Sequence, residues 1–573
     1  MTTASPFIGF SPASHWVPAH LDASTWSVLE PYYKDLQERA IESASDLEQL
    51  IMDRSELDAS VAEQVANLYI ATTRDTTDAA REQAYLTFVR EVSPHTKLAG
   101  ATLDRRIAES PFSRELPSHF AVYLRGLKRE VELFRAANIP LQVEGAEMEQ
   151  KVSQVMGAWS VPFDGREQTL QQMARYQESL DRGLRERAWR AVSDRRLQDR
   201  DTLDHAYDGL IALRRQIATN AGFGNFRDYQ HQAMQRFDYG VEDCMSFHDA
   251  VERHVVPLRR ALDAQRTRLL KVETLRPWDL QVDVEGREPL VPFQDATDLV
   301  ERSVRACQRM DSELGEILSS LTDGHCLDLD SRKGKAPGGY QYQRQRTRRP
   351  FIFMNAAQQQ RDLVTMVHEA GHAFHSQLSR QEPLLAYRDS PTEFAEVASM
   401  SMELLVFPYL DEFYGPEEAN RHRRGQLERI VDILPWVAAI DSFQHWIYTH
   451  DGHTAAARTR AWLDIDRRFG SAVDWQGVTA ARETQWQRQG HLYGSPFYYI
   501  EYGIAQLGAL QLWANARQDE RAALEAYKSA LSLGGSRPLP ELFAAAGIDF
   551  SLSPETIGRL MAAVRDELAS LPA

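Results

Sequence analysis

The sequence predicts a mostly α-helical protein with one small β element, on three observations. Apolar residues recur at three- and four-residue intervals with charges between them, most clearly over 119 to 139, 167 to 222 and 241 to 272. Strand-like runs are few, the plainest being Phe351-Ile352-Phe353-Met354-Asn355, which is apolar, aromatic and bounded by Pro350. No fixed-period repeat of the kind that marks a solenoid runs through the chain.

With 573 residues, 43% of them apolar, the chain can bury a large core and build two or more lobes. Turn-forming residues gather at 157 to 166, 274 to 293 and 331 to 350. The first stretch reads as a plausible connection between lobes; a helical amino-terminal lobe is assigned by position to 1–190 and a second region to 191–573. The last carries seven Lys or Arg residues between Arg332 and Arg349 and reads as a solvated loop.

A formal net charge of −17 leaves no overall positive field for phosphate backbones or anionic lipid, so no nucleic-acid partner is expected. Glu501 interrupts the apolar run from Tyr498 to Trp513, and no segment reads as a membrane span. The opening Met1-Thr2-Thr3-Ala4-Ser5-Pro6-Phe7 lacks the basic and apolar regions of a secretory signal. Cys244, Cys307 and Cys326 are scattered without a C-x-x-C pair, which fits neither a disulfide framework nor a thiolate metal site. A soluble, cytoplasmic protein with its cysteines in the core is expected.

From Asp362 onward, Leu363, Val367, Ala370, Phe374 and Leu378 recur at helical spacing and define a buried stripe. On that helix His368 and His372 stand four residues apart, so both rings project from one face within reach of a single tetrahedral zinc ion. Glu369 follows the first histidine, where its carboxylate can take a proton from an attacking water. Gly371 interrupts the helix at a propensity cost of about 1 kcal/mol, which implies a close neighbour there. The H-E-x-x-H pattern alone arises by chance in roughly a few of every hundred such chains, so it needs a third ligand.

That ligand is sought on the next helix. Ser390-Pro391-Thr392-Glu393 reads as its start, with Ser390 as N-cap and Glu393 completing a capping box. Glu396 lies beyond the first turn among small and apolar residues, and coordination resolves the cost of burying its carboxylate. Glu403, two turns on, is weighed equally between a hydrogen bond to a ligand imidazole and a surface ion pair. His375 is read as structural, since a fourth protein ligand would close the site to water.

Downstream, His491-Leu492-Tyr493-Gly494-Ser495-Pro496-Phe497-Tyr498-Tyr499-Ile500-Glu501-Tyr502 predicts a bend and then a helix. There Tyr499 and Tyr502 could share a face, and a phenol or imidazole could stabilise an oxyanion. By itself such a run is more often core. His445, His450 and His453 fit no metal template and are assigned to the surface or to caps. The Phe351 strand, next to the catalytic helix in sequence, could pair with an extended peptide or simply pair within the core.

Several separated blocks together resemble the thimet oligopeptidase and oligoendopeptidase F group of zinc metallopeptidases, the oligoendopeptidase F branch most. They are Gly338-Gly339-Tyr340, Arg349-Pro350-Phe351-Ile352 with Asn355, H-E-A-G-H-A-F-H at 368 to 375, F-A-E-V-A-S at 394 to 399, Phe443-Gln444-His445-Trp446 and P-F-Y-Y-I-E-Y at 496 to 502, in the family's order. The likeness runs from about residue 200 to the end, with Arg276-Pro277-Trp278-Asp279 as an earlier landmark. It implies a multi-helix ellipsoid with a deep channel that admits short, unfolded peptides. It also implies one zinc ion per chain held by His368, His372 and Glu396, Glu369 as general base, and His491, Tyr499 and Tyr502 in contact with substrate or oxyanion. Gln341 stands where many relatives carry a cysteine, which puts thiol-based regulation in doubt.

The function expected is cleavage of internal bonds in short peptides, with oligomeric state left open, a monomer included. A rival on the same fold is a carboxypeptidase or dipeptidyl carboxypeptidase, which needs a cation for the free carboxylate; the basic stretch 332 to 349 is its candidate. A non-catalytic helical scaffold is the other rival, and nothing recommends it while Glu369 is intact.

Overall fold

The computed structural model describes residue 10 and residues 12 to 572, except 333 and 337 and the side chains of 171 and 323. The opening residues 1 to 7 and Lys333 of the basic stretch lie outside the described residues. The fold is mostly α, as the periodicity predicts, with five short strands among the described residues. The three strongly periodic segments resolve into several helices, including Ala121–Leu133, Arg182–Gln198, Arg200–Asn220, Val241–His254 and Val256–Leu269.

The chain forms two compact units, each assembled from three stretches. The first takes Met1–Glu132, Leu290–Ala419 and Gly508–Phe550; the second takes Leu133–Pro289, Asn420–Leu507 and Ser551–Ala573. The boundary expected at 190 falls within the helix Arg182–Gln198. Residues 157 to 166 do not connect lobes. They build a hairpin inside the second unit, in which β1 (Ser160–Phe163) pairs antiparallel with β2 (Arg166–Thr169). Asp164 and Gly165 turn it with φ of 53° and 74°, the paired positive angles that a two-residue hairpin turn requires.

In the first unit, β3 (Leu327–Asp330), β4 (Tyr340–Arg344) and β5 (Arg349–Ala356) form a sheet of order β3-β5-β4. β5 contains the predicted strand and is the central one, parallel to β3 and antiparallel to β4. Both its edges are taken, so it cannot pair with a peptide; β4 is an edge strand. Phe351, Ile352 and Phe353 are at most 1% exposed, which explains the unbroken apolar run.

The basic stretch is no solvated loop. Lys335 Nζ is buried 2.8 Å from Asp328 Oδ1, which Arg332 also binds, at 2.5 Å. Arg346 and Arg348 reach Glu56 on α1 (Ala44–Arg74), a wholly buried carboxylate that Arg388 also holds at 2.8 Å. These cations neutralise buried acids, which a count of exposed-looking charges does not disclose.

Candidate active site

α2 (Gln360–Leu378) carries both histidines and α3 (Thr392–Leu405) carries Glu396 and Glu403, all in the first unit. The predicted stripe is real: Leu363, Val367, Ala370 and Phe374 are at most 2% exposed. The start of α2 is set by Asp362, whose carboxylate accepts the backbone N–H groups of Ala357 and Gln359 at 2.7 and 3.0 Å, favourable at a helix N-terminus.

α3 does not begin as the sequence suggests. Pro391 occupies the N-cap position, no side chain caps the helix, and Ser390 Oγ instead lies 2.9 Å from His375 Nε2. That bond, and burial that pushes the ring down to about 4, make His375 a neutral structural residue.

Gly371 marks the place where α2 and α3 meet. A Cβ there would lie 2.7 Å from both the carbonyl oxygen of Ala398 and Cα of Ser399. Both obstacles are backbone, so they cannot swing away. Gly371→Ala is therefore expected to destabilise the protein by about 1–3 kcal/mol despite its better helix propensity, read as a lowered thermal midpoint. An unchanged midpoint would refute the close-approach account.

This contact brings the predicted ligands together. One donor atom from each of His368, His372 and Glu396 lies within 4.8 Å of the others. Glu396 Oε2 is 3.5 Å from Nε2 of His368 and 3.8 Å from Nε2 of His372. Ser399 Oγ donates to Glu396 Oε2 at 3.0 Å and so fixes the carboxylate, a contact the sequence reading missed. Glu403 settles its two alternatives: Oε1 accepts from His368 Nδ1 at 2.8 Å, so Nε2 is the nitrogen left bare when the ring is neutral.

The electrostatics set these groups apart. Burial opposes charge on His368, but the hydrogen bond and charge of Glu403, with Glu396 and Glu369, raise it to about 9. Burial lifts Glu369 to about 7 against the pull of His368, and it raises Glu396 as well. Burial, then the charge of His368, drives His372 well below its ordinary value. Neither Glu369 nor Glu396 pairs with a lysine or arginine among the described residues. Two imidazole nitrogens and a carboxylate oxygen facing one point, in an acid-rich setting without a fixed cation, suit a divalent metal of zinc's preference.

β4 adds to the site. Gly338 has a φ of 98°, open to glycine, and a Cβ on Gly339 would sit 3.0 Å from Thr365 Cγ2 of α2. These glycines lead the strand along the helix, and the backbone N–H of Gln341 donates to Glu369. The position where relatives carry cysteine thus acts here through its backbone.

His491, Tyr499 and Tyr502 belong to the second unit. A short helix, His491–Gly494, precedes the predicted bend, and α5 begins beyond it; α4 (Pro416–Thr449) and α5 (Tyr499–Ala516) supply the surroundings. Phe497 bends the chain with a φ of 67°, its N–H given to Gln444 Oε1 at 2.6 Å and its carbonyl held by Arg236, which also pairs with Glu501 at 2.9 Å. The three rings cluster: His491 lies 5.2 Å from Tyr499 and 6.0 Å from Tyr502, and the tyrosines are 5.5 Å apart.

Trp436 Nε1 donates to Gln489 Oε1 at 3.1 Å, which leaves the Gln489 amide nitrogen to donate to His491 Nδ1 at 2.7 Å. His491 Nδ1 is then the acceptor and Nε2 carries the proton. Burial pushes this ring down, so it stays a neutral N–H donor at neutral pH. No spacing rule connects Trp436, Gln489 and His491, which is why the sequence reading missed the relay.

The histidines 445, 450 and 453 do not act together. His450 is exposed and stacked on Trp446, and His453 bonds the Ile447 carbonyl at 3.2 Å. His445 corrects the surface assignment, being buried 3.2 Å from Asp441. With His231 and Cys244 it forms a second group of donor atoms within 4.8 Å of one another, which the scattered cysteines did not suggest. All three members are buried, and the Arg236 guanidinium lies 3.3 Å from His231, a positive charge beside the group. All three cysteines are buried and free.

Residues 175–559 match Peptidase family M3, and residues 21–134 match the Peptidase M3 N-terminal domain. The chain belongs to peptidase family M3. Among curated M3 relatives, Oligopeptidase PepF of Bacillus subtilis (strain 168) is 24% identical over 388 residues, 66% of this chain and 56% of that protein. The Oligoendopeptidase F homolog of Lactococcus lactis subsp. lactis (strain IL1403) is 21% identical over 65% of this chain and 61% of its own length. These matches therefore span under two thirds of either relative. The structure of PZ peptidase A with inhibitor 2 superposes with a TM-score of 0.89 at 28% identity, covering 96% of this chain and 98% of that one. Oligoendopeptidase-F from Enterococcus faecium shares the fold, with a TM-score of 0.64 at 19% identity. No helix among the described residues is long and apolar enough to cross a membrane.

Proposed function

We propose that this M3 protein is a zinc-dependent oligoendopeptidase that hydrolyses internal bonds of short, unfolded peptides in the cytoplasm. The observation that carries the reading is the convergence of His368 Nε2, His372 Nε2 and Glu396 Oε2 beside the buried Glu369. The similarity to proteins named oligopeptidase and oligoendopeptidase F supports the substrate class.

His368, His372 and Glu396 would hold one zinc ion, with Glu403 keeping His368 in the tautomer whose Nε2 is free to bind. When bound, such an ion supplies Lewis acidity to the scissile carbonyl and to water. Glu369 takes the proton of the attacking water on its carboxylate and later delivers it to the departing amine nitrogen. The backbone N–H of Gln341 orients that carboxylate. By the resemblance to this family, His491, through Nε2–H, and Tyr502, through its hydroxyl, would donate to the oxygen that gains charge; within the second unit Tyr499 packs against both.

The test uses an internally quenched peptide of about ten residues with mass analysis of the products. Cleavage at an internal bond is expected, abolished by a chelator and restored by added zinc. Cleavage that persists in the metal-stripped protein, or release of terminal residues alone, would sink the proposal.

A further inference from the structure

A peptide-binding protein needs cations for the charged ends and acid side chains of its ligands. Within the basic stretch 332 to 349, Arg332, Lys335, Arg346 and Arg348 are committed to Asp328 and Glu56. Several arginines make no ion pair among the described residues, although acidic residues outnumber basic ones, 82 to 65. Two such arginines influence each other in the second unit.

Arg488 is exposed and makes no ion pair or hydrogen bond to a carboxylate among the described residues. Its guanidinium lies over the Trp436 ring, 4.8 Å from the centroid. That stacking orients the group yet consumes none of its five N–H donors, leaving its fork open to a carboxylate in plane. Trp436 also anchors Gln489 and through it His491, so Arg488 and the proposed oxyanion donor share one support.

Arg196 is the second cation. It lies 5.7 Å from the Trp159 ring centroid, its Nε is buried without a partner, and it too has no ion pair among the described residues. Burial, and then repulsion from Arg488, push it down to about 10. Two guanidiniums that repel each other are relieved when an anion arrives.

We propose that Arg488, supported by Arg196, is a carboxylate-recognition site that takes the anionic group of a peptide substrate. The anion is a peptide's C-terminal carboxylate or an Asp or Glu side chain; the planar fork suits either. The proposal rests on the reading of this protein as a peptidase, in that a peptide supplies the carboxylate. It makes Arg488 a specificity residue and leaves the chemistry to Glu369 and its neighbours.

The experiment compares three kinds of internally quenched peptide of one length with the zinc-loaded enzyme: a free acid, its C-terminal amide, and a set of amides with one Glu placed at each position in turn. At least one carboxylate-bearing peptide is expected to show a KM about tenfold below the neutral amide. Arg488→Gln should raise that KM to the amide's level with kcat kept and the neutral amide cleaved as before; Arg488→Lys should recover part of the preference. The peptide that shows the preference identifies the source of the carboxylate. Equal KM values for all the peptides, or equal losses on the neutral amide in Arg488→Gln, would overturn the site. Calorimetric titration of the same peptides into the Glu369→Gln protein reads the site without turnover. If no peptide is cleaved by the wild-type enzyme, the peptidase reading fails. The titration still decides, because a carboxylate preference that Arg488→Gln removes upholds the site and its absence rejects it.

Discussion

Glu369→Gln should bind zinc as the wild type does and lose hydrolysis by about 10²–10⁴-fold, the range a positioned general base contributes. The amide keeps the size of the side chain and can still meet the backbone N–H of Gln341 through its oxygen, so packing between α2 and its neighbours survives. What it cannot do is take a proton. Because Glu369 is 7% exposed and lies outside the three donors that face one another, its replacement should leave metal content near one ion per chain. Metal analysis beside single-turnover cleavage checks both halves. A metal-loaded Glu369→Gln protein with more than about a tenth of normal turnover would remove Glu369 from the role of base.

The features legible in the sequence are those written over a few neighbouring residues. The α2 stripe, the two histidines one turn apart, the glycine at a helix contact and the central strand each follow from local period or steric size. The Asp-Gly pair at 164 and 165 is equally local, a hairpin signal set among turn residues that by themselves read as a connection. Ser390 shows the opposite failure. A good capping sequence was present, yet its hydroxyl found His375, fifteen residues back, at 2.9 Å. Tertiary partners likewise decided the basic stretch, whose charges met Glu56 and Asp328 in the interior.

Long-range hydrogen bonding sets the remainder of the site. Glu403 faces His368 because α2 and α3 cross at Gly371, and nothing nearer in sequence could have chosen between its two readings. The Trp436, Gln489 and His491 relay joins a helix to a turn more than fifty residues later. Residue types announced the chemistry; tautomer and orientation came only from partners that spacing cannot supply.

His372→Ala should abolish activity by a different route, through loss of the metal. Three protein donors are the usual complement of a hydrolytic zinc site, and removing one leaves His368 and Glu396, an imidazole and a carboxylate that already attract each other across 3.5 Å. The proton on His368 is the competitor for the ion, since Glu403, Glu396 and Glu369 hold that ring up to about 9 against burial. At neutral pH metal uptake must therefore expel a proton, and affinity should fall as the pH is lowered. His372 is half-buried and its loss opens a small, solvent-reachable gap, so the fold should survive. The expected result is a folded protein that retains less than about a tenth of an ion per chain after dialysis at pH 7 and cleaves no peptide; full metal retention by His372→Ala would place the ion elsewhere.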